Sequence, residues 1–450
     1  MESATGDARL EDQLRAIGRE LHDALPARSR HPLRAMDAKA MELASRDAEL
    51  RAALFRLVDV TPACRSLDDL ARHLAGYLEE VGERPQPVEA AVRVAHTAAG
   101  RRALGAAAAG GVRHMAHRFI VGDSPRAALG VLRSLWDAGA ASSVDLLGEA
   151  TVTRAEADRY AARCVEALET LAADAARWPD RPILEADSIG PLPRVNLSVK
   201  VSALTPLMRP EAPDVGREDA AGRLRPLLRR ANELRAHLHI DMESLDALET
   251  TLDLVSELLD EPEFAEGPSV GVVLQAYLRE SPEQLDRLLA WARSSVRRPP
   301  LTVRLVKGAY WDHEVTEARQ HGWRPPVFEV KADSDRNFEA LTRRLLDARP
   351  AVRVAVASHN LRSVAHAVAY NRLAGGEERD LELQVLRGLG DDLQEALAER
   401  GLRVRSYCPV GDLVAGMAYL VRRLLENTSN DSFLGELGRG APIEELLAAP

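Results

Sequence analysis

Two adjacent arginines, Arg422 and Arg423, lie in the middle of the apolar run "MAYLVRRLLEN" near the end of the sequence. Apolar residues recur in this run at steps of three and four, which predicts a helix. One interpretation is a solvent-facing stripe in which an arginine pairs with Glu426 one turn later. The other is a clamp for a small carboxylate, because the planar guanidinium fork matches the two oxygens of that group. The helix alone leaves both interpretations open.

Lysine is rare in this sequence. Of the 59 basic residues only four are lysines, namely Lys39, Lys200, Lys307 and Lys331. A lysine kept where arginine is otherwise used indicates either chance placement or a need for a compact, titratable ammonium group. Three of the four fall in or near predicted strands, which favours the second explanation.

The composition excludes several classes of protein. The chain has 450 residues and 46% apolar residues, enough for one large domain or two to three smaller ones. No apolar run reaches the ~20 residues that span a bilayer, and the first residues lack the apolar core of a signal peptide, so we expect a cytoplasmic protein. The three cysteines are far apart, which predicts no metal site and no disulfide framework. The net charge of −10 argues against a nucleic-acid partner.

The elements that must position these residues change in character along the chain. Residues 1–115 have helical periodicity throughout. Beyond them, β-rich runs alternate with amphipathic helices, and the runs are 142–150, 194–204, 236–244, 270–278, 301–311, 351–360, 381–390 and 402–411. Eight such units predict an α/β fold of the (β/α)8 type. A doubly wound sheet also fits the alternation, but no glycine-rich turn follows the first strand.

A ninth run, 117–122, is interpreted as a lead-in to the barrel. The predicted organisation is a helical N-terminal arm and α-domain at 1–115, a barrel at 116–440, and a tail or boundary to a further domain at 441–450.

Polar residues stand at the ends of all eight predicted strands. They are Glu149, Lys200, Asp241, Glu243, Gln275, Arg304, Lys307, His359, Asn360, Gln384 and Tyr407. Active sites of such barrels lie at the carboxyl ends of the strands. The pattern therefore predicts a large polar ligand there, and it favours the carboxylate clamp for the arginine helix that follows the last strand.

The motifs together resemble a known family. The segments "LSVKVSAL", "HIDMES", "VLQAY", "VRLVKGAYWD", "ASHN", "LQVLRGLG", "YCPVG" and "YLVRRLLENTSNDSF" are similar to the proline dehydrogenase module of the bifunctional bacterial proline utilization A flavoenzymes. The resemblance implies a distorted (β/α)8 TIM barrel that binds FAD and oxidises L-proline to Δ1-pyrroline-5-carboxylate. It runs from about residue 115 to 450, and more faintly through the helical part.

The resemblance also implies a substrate site. Lys200, Arg422 and Arg423 would hold the substrate carboxylate, and Tyr310, Leu386, Tyr407 and Tyr419 would form an apolar wall around the ring. Glu149 would pair with Arg422 without substrate, Glu426 would orient the arginines, and Asp241 would support Lys200. Tyr407 favours proline, since the hydroxyproline branch carries a smaller residue there.

The cofactor contacts follow in the same way. The residues implied to bind FAD are Gln275, Arg304, Val306, Lys307, Gly308, Ala309, Trp311, His359, Asn360 and Gln384. Arg304 would lie near flavin N5. Glu329 stands where many relatives carry threonine, so that contact is not carried over.

The resemblance extends to partners. It implies a membrane quinone as electron acceptor, with peripheral contact at the inner face of the cell membrane, and it is compatible with a homo-oligomer. We find no ribbon–helix–helix segment and no aldehyde dehydrogenase half, so we expect either a single-function protein or a piece of a longer one with a fused or separate aldehyde dehydrogenase.

Two other functions stay open at this stage. A Schiff-base aldolase barrel would use Lys200 or Lys307 as nucleophile. A degenerate barrel would serve only as a binding module.

Overall fold

Eight parallel strands pair in chain order and close into a barrel, with the first bonded to the last. This computed structural model describes residues 2–25, 48–82, 86–148, 151–412, 416, 419 and 441–450. The strands are β1 Ala140–Leu146, β2 Asn196–Lys200, β3 His237–Asp241, β4 Ser269–Gln275, β5 Leu301–Val306, β6 Val352–Ala357, β7 Leu381–Leu386 and β8 Val404–Val410. The predicted (β/α)8 barrel is confirmed.

Helices surround the barrel and precede it. They are α1 Glu2–Ala24, α2 Ala48–Val60, α3 Leu67–Glu79, α4 Gln86–Ala95, α5 Ala98–Phe119, α6 Pro125–Asp137, α7 Arg154–Ala175, α8 Pro182–Glu185, α9 Val201–Leu204, α10 Pro213–Glu233, α11 Leu245–Leu259, α12 Ser281–Ser294, α13 Trp311–Gln320, α14 Lys331–Asp347, α15 Leu361–Leu373, α16 Asp391–Glu399 and α17 Ile443–Leu446. None of the helices in the described ranges is long and apolar enough to cross a bilayer.

The lead-in at 117–122 forms no ninth barrel strand. Helix α5 ends at Phe119, and Gly122 then makes an isolated parallel bridge to Val410. The backbone N–H of Val121 donates to the carbonyl of Pro409 at 2.9 Å. The segment therefore lies against β8 for two residues before α6 begins.

Local sequence signals explain where the helices start. Thr153 accepts a hydrogen bond from the backbone N–H of Glu156, whose carboxylate accepts one back from the N–H of Thr153, a capping box before α7. The side chain of Asn360 accepts from the N–H of Ser363 at 2.9 Å and caps α15. These caps fix the points at which the chain leaves a strand and turns back along the barrel.

The two faces of the strands differ in chemistry. Outward-facing residues such as Leu197 and Val199 are fully buried against the helices and belong to the main apolar core. The inward-facing residues are largely polar, and Arg304 on β5 reaches across the barrel to the hydroxyl of Ser143 on β1 at 3.4 Å. The barrel is held by apolar packing outside and by hydrogen bonds and ion pairs inside.

Helix α1 packs on the flank of the barrel. Its residues Leu14 and Leu21 are buried in the main core. The guanidinium of Arg362 on α15 binds both oxygens of Glu11 at 3.0 Å, the carboxylate of Glu339 and the carbonyl of Leu447 at 2.8 Å. The two ends of the described chain therefore meet at α15.

The helices α2–α4 have a separate apolar core. Its buried members are Leu50, Ala53, Leu57, Leu70, Leu74, Leu78, Val81, Val88 and Val92. The end of α5 belongs to neither cluster, since Phe119 packs with Leu147 and Tyr419 above the end of β1.

Candidate active site

A charged network occupies the carboxyl ends of the strands inside the barrel. Its centre is Asp241, the last residue of β3, which is 8% exposed. Its carboxylate accepts hydrogen bonds from Arg304 Nη1 at 2.6 Å, from the hydroxyl of Tyr407 at 2.6 Å and from Ser198 Oγ at 3.1 Å. Lys200 Nζ lies 3.8 Å from the same carboxylate. The structure thus brings together Lys200, Asp241, Arg304 and Tyr407, which the sequence analysis had assigned to the ends of four different strands.

A second carboxylate completes this network. Lys200 Nζ donates to Asp145 Oδ1 at 2.6 Å, and both side chains are more than nine-tenths buried. Lys200 and Arg304 are thereby matched in charge by Asp145 and Asp241, as buried ions require. Lys200 contacts Asp241 as expected, but its shorter ion pair is with Asp145.

The sequence analysis missed Asp145 because it set the end of β1 too late. The strand ends at Leu146, whereas the predicted run continued to residue 150 and drew attention to Glu149. A period-two count from Ser143 was the available signal, since it places Asp145 on the same inward face. Glu149 itself lies outside the described residues.

Tyr407 connects the network to an apolar wall. The side chains of Tyr407 and Tyr419 pack in one cluster with Leu147 and Ile120. Burial raises the pKa of Tyr407 well above its usual value, and the negative charges of Asp145 and Asp241 add to the effect. Its phenol is therefore a protonated donor, as the bond to Asp241 requires.

The other predicted wall residues lie near the same rim. Leu386 is the last residue of β7 and pairs in register with Tyr407. Tyr310 directly precedes α13 in the loop after β5. The predicted clamp residues Arg422 and Arg423 lie outside the described residues, as does Glu426, so the clamp stays a prediction.

Gln275 and Arg304 each carry a buried polar atom that has no hydrogen-bond partner among the described residues. The amide Nε2 of Gln275, at the end of β4, donates to the carbonyl of Glu243 at 3.1 Å. Its Oε1 and the Nε of Arg304 are buried without a hydrogen-bond partner in the described part of the chain. Native proteins rarely leave such atoms unpaired, so they indicate a place for a polar ligand.

Lys307 and Lys331 share one carboxylate. Lys307 forms an ion pair with Asp335 on α14, and Lys331 Nζ donates to the other oxygen of Asp335 at 2.7 Å. Burial lowers the pKa of Lys307 in spite of this partner. Sequence reasoning missed Asp335, which carried no motif signal.

The loop after β5 is shaped by Gly308. Its φ of +138° disfavours any side chain, and a Cβ there would lie 2.5 Å from the ring of Tyr277. Val306 ends β5, and Ala309 follows the glycine. Trp311 opens α13, is 38% exposed, and donates through Nε1 to the carbonyl of Phe328 at 2.9 Å.

The residues after β6 and in β7 already make contacts within the chain. His359 Nε2 accepts from the backbone N–H of Leu386 at 2.9 Å, and Asn360 caps α15. Gln384 donates to Glu382 at 2.6 Å and therefore points into the barrel interior. Glu329 is half-exposed and lies 3.4 Å from Arg319, away from this network.

These residues fit a flavin. An isoalloxazine ring needs hydrogen-bond partners along its edge and tolerates a cation near N1 and N5. Gln275 Oε1 and Arg304 Nε, which have no hydrogen-bond partner within the described part of the chain, could supply these contacts. A single set of potential metal ligands within 4.8 Å of one another occurs among the described residues, at Cys64, Asp69 and His73 in the helical region.

The fold and this rim define a (β/α)8 barrel of the enzymatic type, and comparison with known families gives its membership. The profile named proline dehydrogenase matches residues 128–436, and the profile named proline utilization A N-terminal domain matches residues 11–119. The chain belongs to the proline dehydrogenase family.

Comparison with individual proteins gives the same family assignment. The chain is 35% identical over 350 residues to the bifunctional protein PutA of Salmonella typhimurium. The aligned region covers 75% of this chain and 25% of that protein. It is 27% identical over 327 residues to proline dehydrogenase 1 of Bacillus subtilis subsp. natto, covering 72% of this chain and 90% of the relative. The chain therefore spans about a quarter of the length of the bifunctional relatives.

A solved structure shows the same fold. The crystal structure of proline utilization A from Bdellovibrio bacteriovorus, inactivated by N-propargylglycine, superimposes with a TM-score of 0.89 at 36% identity. The match covers 98% of this chain and 44% of that one.

Proposed function

We propose that this protein oxidises L-proline to Δ1-pyrroline-5-carboxylate. FAD, when bound, supplies the acceptor for the hydride that leaves the ring carbon next to nitrogen. The family membership and the names of the relatives support the reaction. The observation that carries the proposal is the convergence of Arg304, Tyr407 and Lys200 on the carboxylate of Asp241 at the carboxyl end of the barrel.

Lys200 would bind the carboxylate of proline. Its ammonium is held by Asp145 at 2.6 Å and lies beside Asp241, so its position is fixed before substrate arrives. An ammonium attracts an incoming carboxylate as a point charge, and the predicted forks of Arg422 and Arg423 would saturate the remaining oxygen positions.

Tyr407 would hold the ring of the substrate from one side. Its hydroxyl is anchored on Asp241, and its ring packs in the same cluster as Tyr419. Tyr310 and Leu386 would close the rest of the apolar wall. Such a wall excludes water and fixes the orientation of the reacting carbon.

Arg304 and Gln275 would hold the isoalloxazine ring. The guanidinium of Arg304 would stabilise the negative charge that accumulates on the flavin on reduction. Val306, Lys307, Gly308, Ala309 and Trp311 in the β5–α13 segment, His359 and Asn360 after β6, and Gln384 in β7 complete the proposed contacts.

The Schiff-base aldolase alternative is disfavoured by the ion pairs of both lysines. A nucleophilic lysine must be a neutral amine. Lys200 is paired with Asp145, and Lys307 is paired with Asp335. Each carboxylate favours the charged form of its lysine; for Lys307 burial outweighs this effect and lowers the pKa, so the argument is stronger for Lys200.

The visible spectrum of the purified full chain tests the proposal. We expect a yellow protein whose absorbance near the flavin maximum is lost on adding L-proline under argon, while D-proline, the matched control, leaves it unchanged. A protein that binds FAD but is not reduced by L-proline would refute the substrate. A colourless protein trapped on a lysine by borohydride with a carbonyl compound would support the aldolase instead.

The variants Arg422→Met and Arg423→Met separate substrate from cofactor residues. We expect each to raise the KM for proline at least tenfold, with an unchanged flavin content. Loss of flavin would show that these arginines bind the cofactor.

The remaining partners belong to the same proposal. Electrons would pass to a membrane quinone, with the protein in the cytoplasm and in peripheral contact with the membrane, and the product would pass to a fused or separate aldehyde dehydrogenase. Proline-dependent reduction of a soluble quinone analogue, compared with and without lipid vesicles, tests the acceptor and the membrane contact. No reduction of the quinone by a flavin-loaded, proline-reducible protein would exclude it as acceptor.

A further inference from the structure

A small polar cavity lies inside the barrel near the amino ends of the strands, below the network of the candidate active site. Its volume is about 20 Å³, and it is bordered by Arg353, Arg403, Arg405, Glu382 and His239. A cavity of this size holds one water molecule or one monatomic ion.

Two of the three arginines at the cavity are fully matched. Arg405 makes a bidentate pair with Glu382 at 2.8 and 3.0 Å. Arg353 makes one with Asp187 at 2.9 and 3.2 Å. Such fork-to-fork pairs use both oxygens of each carboxylate.

The third arginine, Arg403, has no such partner. It is 2% exposed, and its Nη1 and Nε lie 3.7 Å from Asp187 and 3.9 Å from Glu382, beyond hydrogen-bond distance. Both nitrogens lack a hydrogen-bond partner among the described residues. Burial lowers the pKa of Arg403, yet a guanidinium stays charged in proteins.

The charges of the arginines at the cavity and of the carboxylates that pair with them sum to plus one among the described residues. The cations are Arg353, Arg403 and Arg405, and the anions are Asp187 and Glu382. An uncompensated buried charge is costly.

The histidines at the cavity do not change this balance. Burial and the positive charge of Arg405 lower the pKa of His237 to about 3, and burial and Arg304 lower that of His239 well below its usual value. His237 Nδ1 lies 2.9 Å from Ser269 Oγ, and its Nε2 lies 3.1 Å from His239 Nδ1. If His237 Nε2 donates the hydrogen bond to His239 Nδ1, the proton of the neutral His239 ring is on its Nε2. This Nε2 has no hydrogen-bond partner among the described residues.

We propose that this cavity binds one monovalent monatomic anion of the halide class, with Arg403 and His239 as its donors. An anion would accept hydrogen bonds from the two orphaned nitrogens of Arg403, and from His239 Nε2 in the tautomer in which that atom carries the proton. It would also cancel the excess charge, which a water molecule would leave in place. Gln384, a proposed flavin contact, also borders the cavity, but Arg403 and His239 are not among the proposed proline or flavin residues, and the proposal stands whether or not those assignments hold.

Thermal unfolding of the full chain tests the site. At equal ionic strength, we expect sodium chloride to raise the unfolding midpoint over sodium gluconate by about 2 °C or more, increasing with the logarithm of chloride concentration. Arg403→Gln should abolish the difference, because it removes the excess charge and two donors. The matched control Arg298→Gln removes an exposed arginine that pairs with Glu266 and should retain it.

A crystal grown or soaked in sodium bromide gives an independent answer if Arg403→Gln does not fold. We expect an anomalous peak between Arg403 and His239 in the wild-type protein. Equal midpoints in chloride and gluconate, or density in the cavity without anomalous signal, would overturn the proposal.

Discussion

Replacement of Asp145 by asparagine should destabilise the barrel far more than loss of a surface ion pair of the same length. The Lys200–Asp145 pair joins N and O atoms 2.6 Å apart, with side chains 8% and 1% exposed. The Arg287–Glu249 pair has the same distance, with side chains 60% and 55% exposed. The two pairs differ mainly in burial.

The magnitude follows from burial. Asp145→Asn leaves Lys200 buried with Asp241, which is 3.8 Å away and already bonded to Arg304. Breaking a buried pair by removing one partner costs about 3–5 kcal/mol. The matched variant Glu249→Gln should cost about 0–1 kcal/mol, because solvent screens the exposed pair.

Urea unfolding followed by circular dichroism measures both. We expect the unfolding midpoint of the Asp145→Asn protein to fall while that of Glu249→Gln stays near wild type, with the urea dependence unchanged. The double variant Asp145→Asn/Lys200→Met should regain most of the loss, since Arg304 and Asp241 still balance each other. Equal effects of the two single variants would refute the idea that burial sets the strength of the network.

Three further outcomes can be checked. Gly308→Ala should cost about 1–3 kcal/mol and lower the flavin absorbance per protein, because the new Cβ would meet the ring of Tyr277. Phe338→Ala, at a fully buried position on α14, should lower the unfolding free energy by about 3–5 kcal/mol in a urea titration. Burial alone would raise the pKa of Glu382, but the charges of Arg405 and Arg403 and the hydrogen bonds from Arg405 and Gln384 together outweigh it and hold that pKa well below its usual range. Its contribution to stability is therefore complete above the unfolded pKa of about 4.3 and is lost as the pH falls through the lower folded value; urea midpoints between pH 6 and 3 should fall less in Glu382→Gln than in wild type.

The barrel could be predicted from the sequence because its signal is local. Each strand is a short apolar-rich run followed by an amphipathic helix. All eight predicted runs overlap an observed strand, and six contain it entirely, whereas β1 and β4 begin at Ala140 and Ser269, before the runs predicted for them. The ends of the strands were less well predicted. The run 301–311 contains β5 only to Val306, because Lys307 and Gly308 already belong to the loop, where the glycine adopts a positive φ.

The partners of the charged residues could not be predicted, because they depend on register between strands. Lys200 and Asp145 are 55 residues apart and meet only because Asp145 pairs with Ser198 in the sheet. Asp335, which binds two of the four lysines, lies on a helix that shows no motif. The charged residues inside the last three strands, Arg353 on β6, Glu382 on β7 and Arg405 on β8, were also not predicted to pair. Charged residues within a buried strand are unusual, and the sequence does not show which of them face each other.

The position of α1 on the flank of the barrel has a consequence for synthesis. Glu11 and Arg362 are separated by 351 residues, so the docking surface for α1 is completed only after the long stretch of chain between them has been synthesised. Its apolar face must stay exposed or shielded by other factors during that interval, which lengthens the period in which the nascent chain can aggregate. Substitutions that make the apolar face of α1 less hydrophobic should therefore raise the yield of folded protein at high expression rates, although they weaken the packing of α1 on the barrel.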